Sequence, residues 1–366
     1  MCAIIGQSGG EIDKEKFERA RDLMRMRGPD DSGIFYYDRE RIGLGHRRLS
    51  ILDLSSFGRQ PMFSHDERYV TVFNGEIFNF IELKNELKNY PFKTKTDTEV
   101  LIAAYVKWGK NCLNRLNGQF AFAIYDKKNK ELFCARDHLG IKPFYYTIQG
   151  KKFLFASEIK AILALGIDAR PNNKIIFDYL KYNFYDHSED TFFTGIKKLM
   201  PGQYGVWKDG VFTTGTYWDL AKLKDREGEY EKLSYEEAID LFKTLMADAI
   251  RLQFRSDVPV GLNLSSGLDS MSMLFFANTV IGGDLRIFSA GLSDARYDES
   301  NYLKELLAEQ QKKFLYTSTL VPEKVWPLAD KLMGIQDEPY GGLSTIHYLN
   351  LYEETRIPGV KVLLEG

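Results

Sequence analysis

Cysteine and histidine are scarce in this chain. Cys2, Cys112 and Cys134 are its three cysteines in 366 residues, widely spaced and without a CxxC pair. That argues against a disulfide framework or a cysteine-built zinc site and for a reducing compartment. The five histidines are scattered and form no metal-ligand spacing. Neither sign of charge dominates: 49 Lys and Arg against 51 Asp and Glu leave a formal net charge of -2. No positive field therefore draws the chain to nucleic acid or to a membrane surface. No apolar run approaches membrane-spanning length. The opening MCAIIGQSGGE lacks the basic leader of a signal peptide. A cytoplasmic protein with neither nucleic-acid nor membrane partners is expected.

Apolar and aromatic residues are plentiful, at 44% and 14%. They are enough for packed cores, and the length suggests two domains. In the first half, short apolar or alternating segments recur between turn signals at 3–6, 33–37, 42–46, 69–73, 120–125, 131–136, 143–147 and 152–156. Helical periodicity appears at 13–26, 81–87 and 98–108. Strands in runs with helices between them predict an α+β layered domain. Residues 219–234 are polar, charged and Gly-containing, as an exposed linker would be. Beyond them the pattern alternates: helix 235–255, strand 259–264, helix 271–279, strand 286–291, helix 300–310, strand 314–317, helix 325–333 and strand 360–364. Such alternation predicts a parallel, doubly wound α/β sheet. Strand 360–364 reads as an interior strand. Gly366 would then open a loop at the carboxyl end of a strand, where such sheets place their chemistry, so the second domain is expected to be truncated there.

Several short constellations carry chemistry. Trimming of Met1 would leave Cys2 with a thiol and a free α-amine on one carbon, a nucleophile beside its own base. Position alone does not establish this; context must. In GHRRLSI (45–51), Arg48 could grip a carboxylate bidentately or be a surface arginine. In FNGE (73–76), Asn74 and Gly75 could offer a side-chain amide and a backbone N–H to a developing oxyanion, or simply form a turn. In TDTE (96–99), Asp97 could hold an ammonium or cap a helix. Together these groups amount to a nucleophile, an oxyanion hole and clamps for both ends of an α-amino acid. In the second half, LNLSSGLDS (262–270) lies between a strand and a helix. Its loop N–H groups and the hydroxyls of Ser265, Ser266 and Ser270 suit an anion, while Asp269 suits Mg²⁺. A Ser/Gly turn capping a helix explains the same residues equally well.

The ordered set MCAIIG, RGPD, GHRRLSI, QPM, FNGEIFN, TDTE, RDHLGIKPFYY, FASEIKAI, SSGLDS and YDES resembles the glutamine-hydrolysing asparagine synthetases. These join a class II, N-terminal-nucleophile glutamine amidotransferase to an ATP-pyrophosphatase synthetase domain. The resemblance implies an αββα sandwich at 1–218, a linker at 219–234 and, at 235–366, the N-terminal part of the α/β parallel-sheet domain. It implies that Cys2 attacks glutamine, that Asn74 and Gly75 form the oxyanion hole, and that Arg48 binds the α-carboxylate. Glu76 and Asp97 would hold the α-amino group. Ser265, Ser266, Gly267, Asp269 and Ser270 would cradle ATP, with Asp269 near Mg²⁺ and Ala290 against the adenine. The family loop has glycine where Ser266 stands. The implied reaction activates an acceptor carboxylate, aspartate first and a sugar uronic acid as the alternative, with ATP; ammonia from glutamine then captures the acyl-adenylate. Acceptor contacts are expected around 337–345, and a homodimer is a further expectation. A non-catalytic scaffold is the rival reading, and the intact Cys2 constellation argues against it.

Overall fold

The computed structural model describes all residues except 223–226, 283–284, 310–313, 356–358 and 366. Part of the expected linker, the last residue of the expected helix 300–310, and Gly366 therefore lie outside the described residues. The chain divides into two compact units, Met1–Lys224 and Asp225–Gly366.

The first unit contains β1 (Ala3–Ser8), β2 (Asp31–Tyr37), β3 (Ile42–Arg48), β4 (Met62–Phe63), β5 (Tyr69–Ile77) and β6 (Gly118–Asp126). It continues with β7 (Glu131–Arg136), β8 (Tyr145–Gln149), β9 (Lys152–Ala156), β10 (Lys197–Lys198), β11 (Gln203–Lys208) and β12 (Val211–Thr216). Its helices are α1 (Lys14–Leu23), α2 (Phe80–Glu86), α3 (Asp97–Trp108), α4 (Ile159–Ala164) and α5 (Asn173–Tyr182). The strands form two six-stranded antiparallel sheets, β10-β8-β9-β1-β3-β2 and β12-β11-β7-β6-β5-β4.

Side-chain alternation turns these sheets into layers. On β5, Val70 and Val72 face the core between the sheets, whereas Tyr69, Phe73 and Ile77 face α2 and α3. On β6, Ala121, Ala123 and Tyr125 point inward, while Phe120, Phe122 and Ile124 point outward. Ile4 of β1 joins the inner core; Ala3 and Ile5 pack beneath α1 and α4 with Phe17, Ala20 and Ile159. The result is an αββα sandwich. Helix α3 is buried from Asp97 to Tyr105, which explains why its sequence is apolar on nearly every face. Strands β4, β10, β11 and β12 and helices α4 and α5 were not predicted from sequence. The β11–β12 hairpin turns at Asp209–Gly210, both with positive φ. Helices α4 and α5 follow FASE and RPNN without long apolar periodicity.

The second unit holds α6 (Glu227–Tyr230), α7 (Tyr235–Gln253), β13 (Val260–Asn263), α8 (Leu268–Val280), β14 (Arg286–Leu292), α9 (Ser300–Glu309), β15 (Phe314–Leu320), α10 (Pro322–Gln336), α11 (Leu343–Thr355) and β16 (Val362–Leu364). A capping box starts α7: the Ser234 hydroxyl accepts from the Glu237 N–H, and the Glu237 carboxylate accepts from Ser234. The four strands are parallel, in the order β15-β14-β13-β16. Among the described residues β16 pairs with β13. Its apolar sequence reflects burial of its faces, with Leu364 in the α7–α8–β13 core and Leu363 against Phe288 and Leu351.

Candidate functional site

Cys2 owes its place to the pairing of β1 with β3. Ala3 lies opposite Arg47, so the register carries Cys2 opposite Arg48, next to Leu49 just beyond the end of β3. The Leu49 N–H donates to Cys2 Sγ at 3.4 Å, and the thiol points to the Leu49 carbonyl at 3.7 Å. Arg27 Nε holds the Cys2 carbonyl at 3.0 Å. Burial pushes the Cys2 thiol above its ordinary pKa. At Met1 the α-amine is pushed down to about 5, by burial first and then by the charges of Arg27 and Lys142.

The next elements come from β5. Its partner β4 is two residues long and covers only Val70 and Thr71, so β5 has an open edge from Phe73 onward. Side chains replace the missing strand. Gln60 Oε1 accepts from the Phe73 N–H at 2.6 Å, His46 Nε2 donates to the Phe73 carbonyl at 3.1 Å, and Asp97 Oδ2 accepts from the Ile77 N–H at 2.9 Å. In an antiparallel strand every second residue points its backbone groups to the same edge. Gly75, midway between Phe73 and Ile77, therefore presents its N–H there as well. Its cross-strand partner Phe120 agrees, since both backbone groups of Phe120 turn the other way to bond Asp137. Beside this free N–H, Asn74 is 0% exposed, and neither its Nδ2 nor its Oδ1 has a partner. A buried primary amide with no hydrogen bond is costly, and such sites commonly await a ligand.

The six residues singled out from sequence in the first half share one cavity of about 60 Å³. Cys2, Arg48, Asn74, Gly75, Glu76 and Asp97 all line it. Thr96, not Asp97, is the N-cap of α3, which leaves the Asp97 carboxylate free to face the cavity. Burial raises the pKa of Asp97 to about 6 and that of Glu76 well above the usual carboxylate range, and proximity to Asp97 adds to the rise at Glu76. Asp97 is buried and Glu76 half-buried, and two carboxylates close enough for the charge of one to raise the pKa of the other favour a cation between them. Arg48 is more committed than a free fork. Nη1 donates to the Ser55 carbonyl at 2.7 Å, and Nη2 to Leu52 at 3.3 Å and to Asp53. It thus pins the loop that walls the cavity.

Three residues escaped a functional assignment although their motifs were noticed: Arg27, Gln60 and Lys142. Lys142, 9% exposed, lies in the cavity wall, and its Nζ sits 3.5 Å from Met1 Sδ. Burial pushes its pKa down while the charge of Glu76 opposes the shift. A lysine in GIKPFYY reads as a surface turn residue, because burial leaves no periodic trace in so short a loop.

In the second unit, SSGLDS joins the carboxyl end of β13 to α8, with Gly267 as the N-cap. The Ser265 N–H and hydroxyl both meet the Ser270 hydroxyl, at 3.1 and 3.0 Å. The Ser266 N–H donates to Glu299 Oε2 at 2.7 Å, so this loop already holds a carboxylate oxygen on its backbone. An anion-accepting loop of this kind suits phosphate. Asp269 is exposed in the first turn of α8. Ala290 lies on β14 and packs partly buried against the Phe288–Leu351–Val360 cluster. Among the described residues, no three His, Cys, Asp or Glu side chains gather as a ready metal cluster, and no helix is long and apolar enough to cross a membrane.

Residues 1–218 match the glutamine amidotransferase domain family, and residues 241–366 match the asparagine synthase family. A putative glutamine-hydrolysing asparagine synthetase 2 of Methanocaldococcus jannaschii is 36% identical over 405 residues, covering 100% of this chain and 74% of that protein. Asparagine synthetase 1 of Bacillus subtilis is 36% identical over 353 residues, 90% of this chain and 54% of that protein. An amidase of Gibberella zeae, chry2, is 29% identical over 367 residues, 96% of this chain and 54% of its own length. The chain thus spans about half the length of the latter two relatives. With both domain families matched in order along its length, the chain belongs to the glutamine-hydrolysing asparagine synthetases.

Proposed function

We propose that the first unit hydrolyses glutamine at Cys2 and that the second uses ATP to activate a carboxylate, which the released ammonia converts to an amide. The orphaned Asn74 amide beside the open Gly75 N–H carries the first half of this reading. A thiolate at Cys2 adds to the side-chain amide carbon of glutamine. The oxygen that gains charge is met by Asn74 Nδ2 and the Gly75 N–H, donors that are fixed before reaction. Collapse breaks the carbon–nitrogen bond, the departing nitrogen takes the thiol's proton and leaves as ammonia, and water then hydrolyses the thioester to glutamate. Arg48 holds the α-carboxylate, while Glu76 and Asp97 hold the α-ammonium. Removal of Met1 frees the Cys2 amine in the same site, where burial first and then the charges of Arg27 and Lys142 lower the pKa of the Met1 amine. A neutral amine beside the thiol can carry its proton.

In the second unit, Ser265, Ser266, Gly267 and Ser270 would receive the phosphates of ATP, and Ala290 would lie near the adenine. Asp269 would hold Mg²⁺, which when bound offsets phosphate charge while the acceptor carboxylate attacks. The Ser266–Glu299 contact supports an anion site there. Aspartate is the proposed acceptor, consistent with relatives named asparagine synthetase. A different carboxylate, such as a sugar uronic acid, is the second reading; relatives of this chain do not all carry the asparagine synthetase name. The deciding experiment measures ammonia from glutamine and pyrophosphate from ATP across a panel of carboxylates. Loss of ammonia in Cys2→Ala, with pyrophosphate release stimulated most by aspartate, is the expected result. Glutaminase activity surviving in Cys2→Ala would overturn the nucleophile assignment.

A further inference from the structure

Gln60 bridges two parts of the cavity that the chemistry requires to act together. It is 4% exposed. A backbone N–H can only donate, so the 2.6 Å contact with Phe73 fixes Gln60 Oε1 as the acceptor. The amide nitrogen then donates to Thr98 Oγ1 at 3.2 Å. Thr98 follows Asp97 in the first turn of α3, and Asp97 itself accepts the Ile77 N–H. The first turn of α3 therefore grips the open edge of β5 at two points, at Phe73 through Gln60 and at Ile77 directly. Asn74 and Gly75 lie between those points. From the other side His46 holds the carbonyl of the same Phe73 residue.

We infer that Gln60 is a positioning residue for glutamine hydrolysis: through Phe73 and Thr98 it sets the Asn74–Gly75 oxyanion donors in register with the Asp97 ammonium clamp. This rests on the glutaminase reading above. Without Gln60 the Phe73 N–H would be buried and unpaired on an edge that no strand covers, and the segment carrying both donors would relax toward any available acceptor. Displacements near 1 Å at a reacting centre cost on the order of 100-fold in rate. The ammonium clamp would survive, because Asp97 stays anchored to Ile77.

The test is Gln60→Met, which keeps the length and removes both hydrogen bonds. In the trimmed wild-type protein and this variant, glutamine kinetics are measured together with the affinity for glutamate and for the aldehyde analogue of glutamine. The aldehyde adds Cys2 Sγ to its carbonyl carbon while the thiol proton goes to the carbonyl oxygen, so it requires the oxyanion donors; glutamate does not. The expected result is a 10- to 100-fold fall in kcat with KM within about 3-fold, paralleled by loss of aldehyde affinity and unchanged glutamate affinity. A folded variant that keeps wild-type kcat, or whose loss falls on KM and glutamate affinity, overturns the inference. Should Gln60→Met not fold, Thr98→Val against Thr98→Ser decides: valine should lower kcat and serine, which keeps the hydroxyl, should restore it. Equal kcat in these two overturns the inference as well. A wild-type protein that neither hydrolyses glutamine nor binds the aldehyde would bring down the glutaminase reading itself. Hydrolysis by wild type with kcat untouched by Gln60 brings down only this inference.

Discussion

Asp97 Oδ2 accepts the backbone N–H of Ile77 at 2.9 Å, and this one bond ties the start of α3 to the strand that carries Asn74 and Gly75. The carboxylate is 5% exposed, and burial raises its pKa to about 6. The native state therefore binds a proton at Asp97 more readily than the unfolded chain does. This contribution favours the fold below about pH 4 and is lost progressively as pH rises through about 6. Asp97→Asn should keep the bond to Ile77 through its amide oxygen and abolish the charge. The variant is expected to be more stable than wild type at pH 7, by at most about 3 kcal/mol. Its glutamine KM should rise about 10- to 100-fold, since a charge-assisted hydrogen bond to the ammonium is lost. Thermal melts at pH 5 and 7 with glutamine kinetics would check both halves. A less stable variant with an unchanged KM would contradict both.

The same carboxylates predict a pH dependence of binding. Ionised Asp97 and Glu76 attract the substrate ammonium, and both have raised pKa values. Glutamine KM in the wild type should accordingly increase as pH falls below about 6, while Asp97→Asn should show a weaker rise. A KM flat between pH 5 and 8 would exclude these carboxylates as the clamp.

Two glycines contrast a sterically crowded position with an open one. A Cβ on Gly75 would lie 2.2 Å from the Gln119 carbonyl and 2.8 Å from Phe120 Cα, so β6 would have to move. Gly75→Ala should lose glutaminase activity and cost several kcal/mol of stability, as overpacking against backbone does. A Cβ on Gly267 would meet only the Ser265 hydroxyl, at 3.2 Å. Gly267→Ala should fold with a melting temperature within a few degrees of wild type. Calorimetry on both variants would settle the contrast.

Arg48 joins binding to loop structure. Its guanidinium donates to the carbonyls of Leu52, Asp53 and Ser55, and a Cβ on Gly58 would come within 2.0 Å of it. Arg48→Lys should therefore not rescue Arg48→Ala, because one ammonium cannot reproduce a planar fork across three acceptors. Both variants should raise glutamine KM at least 10-fold and increase proteolytic cleavage in 52–58. A lysine variant with wild-type KM would show that charge alone suffices.

How much of this could be read from the chain beforehand depends on which physical signal each feature leaves. Alternation at Val70–Val72 and Ala121–Ala123, and the apolar stretch of α3, revealed the sandwich because burial acts on every second residue of a strand. Cys2, Arg48, Asn74, Gly75 and Asp97 stood out because together they supply a nucleophile, oxyanion donors and clamps, whereas Glu76 came from the family resemblance alone. Gln60, His46 and Lys142 act through burial and through contacts across 13, 27 and 141 residues of chain, and local spacing carries no trace of such contacts. The β11–β12 turn at Asp209–Gly210 was readable from its Asp-Gly pair, which favours positive φ at both positions.

The loop of the second unit yields the last prediction. Glu299 Oε2 sits on the Ser266 N–H at 2.7 Å, in the place where the proposed phosphate chain would need that donor. Binding an anion there must first displace the carboxylate, and two like charges cannot share one N–H cheaply. Glu299→Gln should therefore bind pyrophosphate more tightly, about 3- to 10-fold, because a neutral amide competes less well for the N–H and repels phosphate less. The measurement is calorimetric titration of pyrophosphate into wild type and variant without divalent metal, so that no cation bridges Glu299 to the ligand. Weaker binding in the variant would mean that Glu299 orders the loop for phosphate rather than competing with it, and unchanged binding would place the phosphate site away from Ser266.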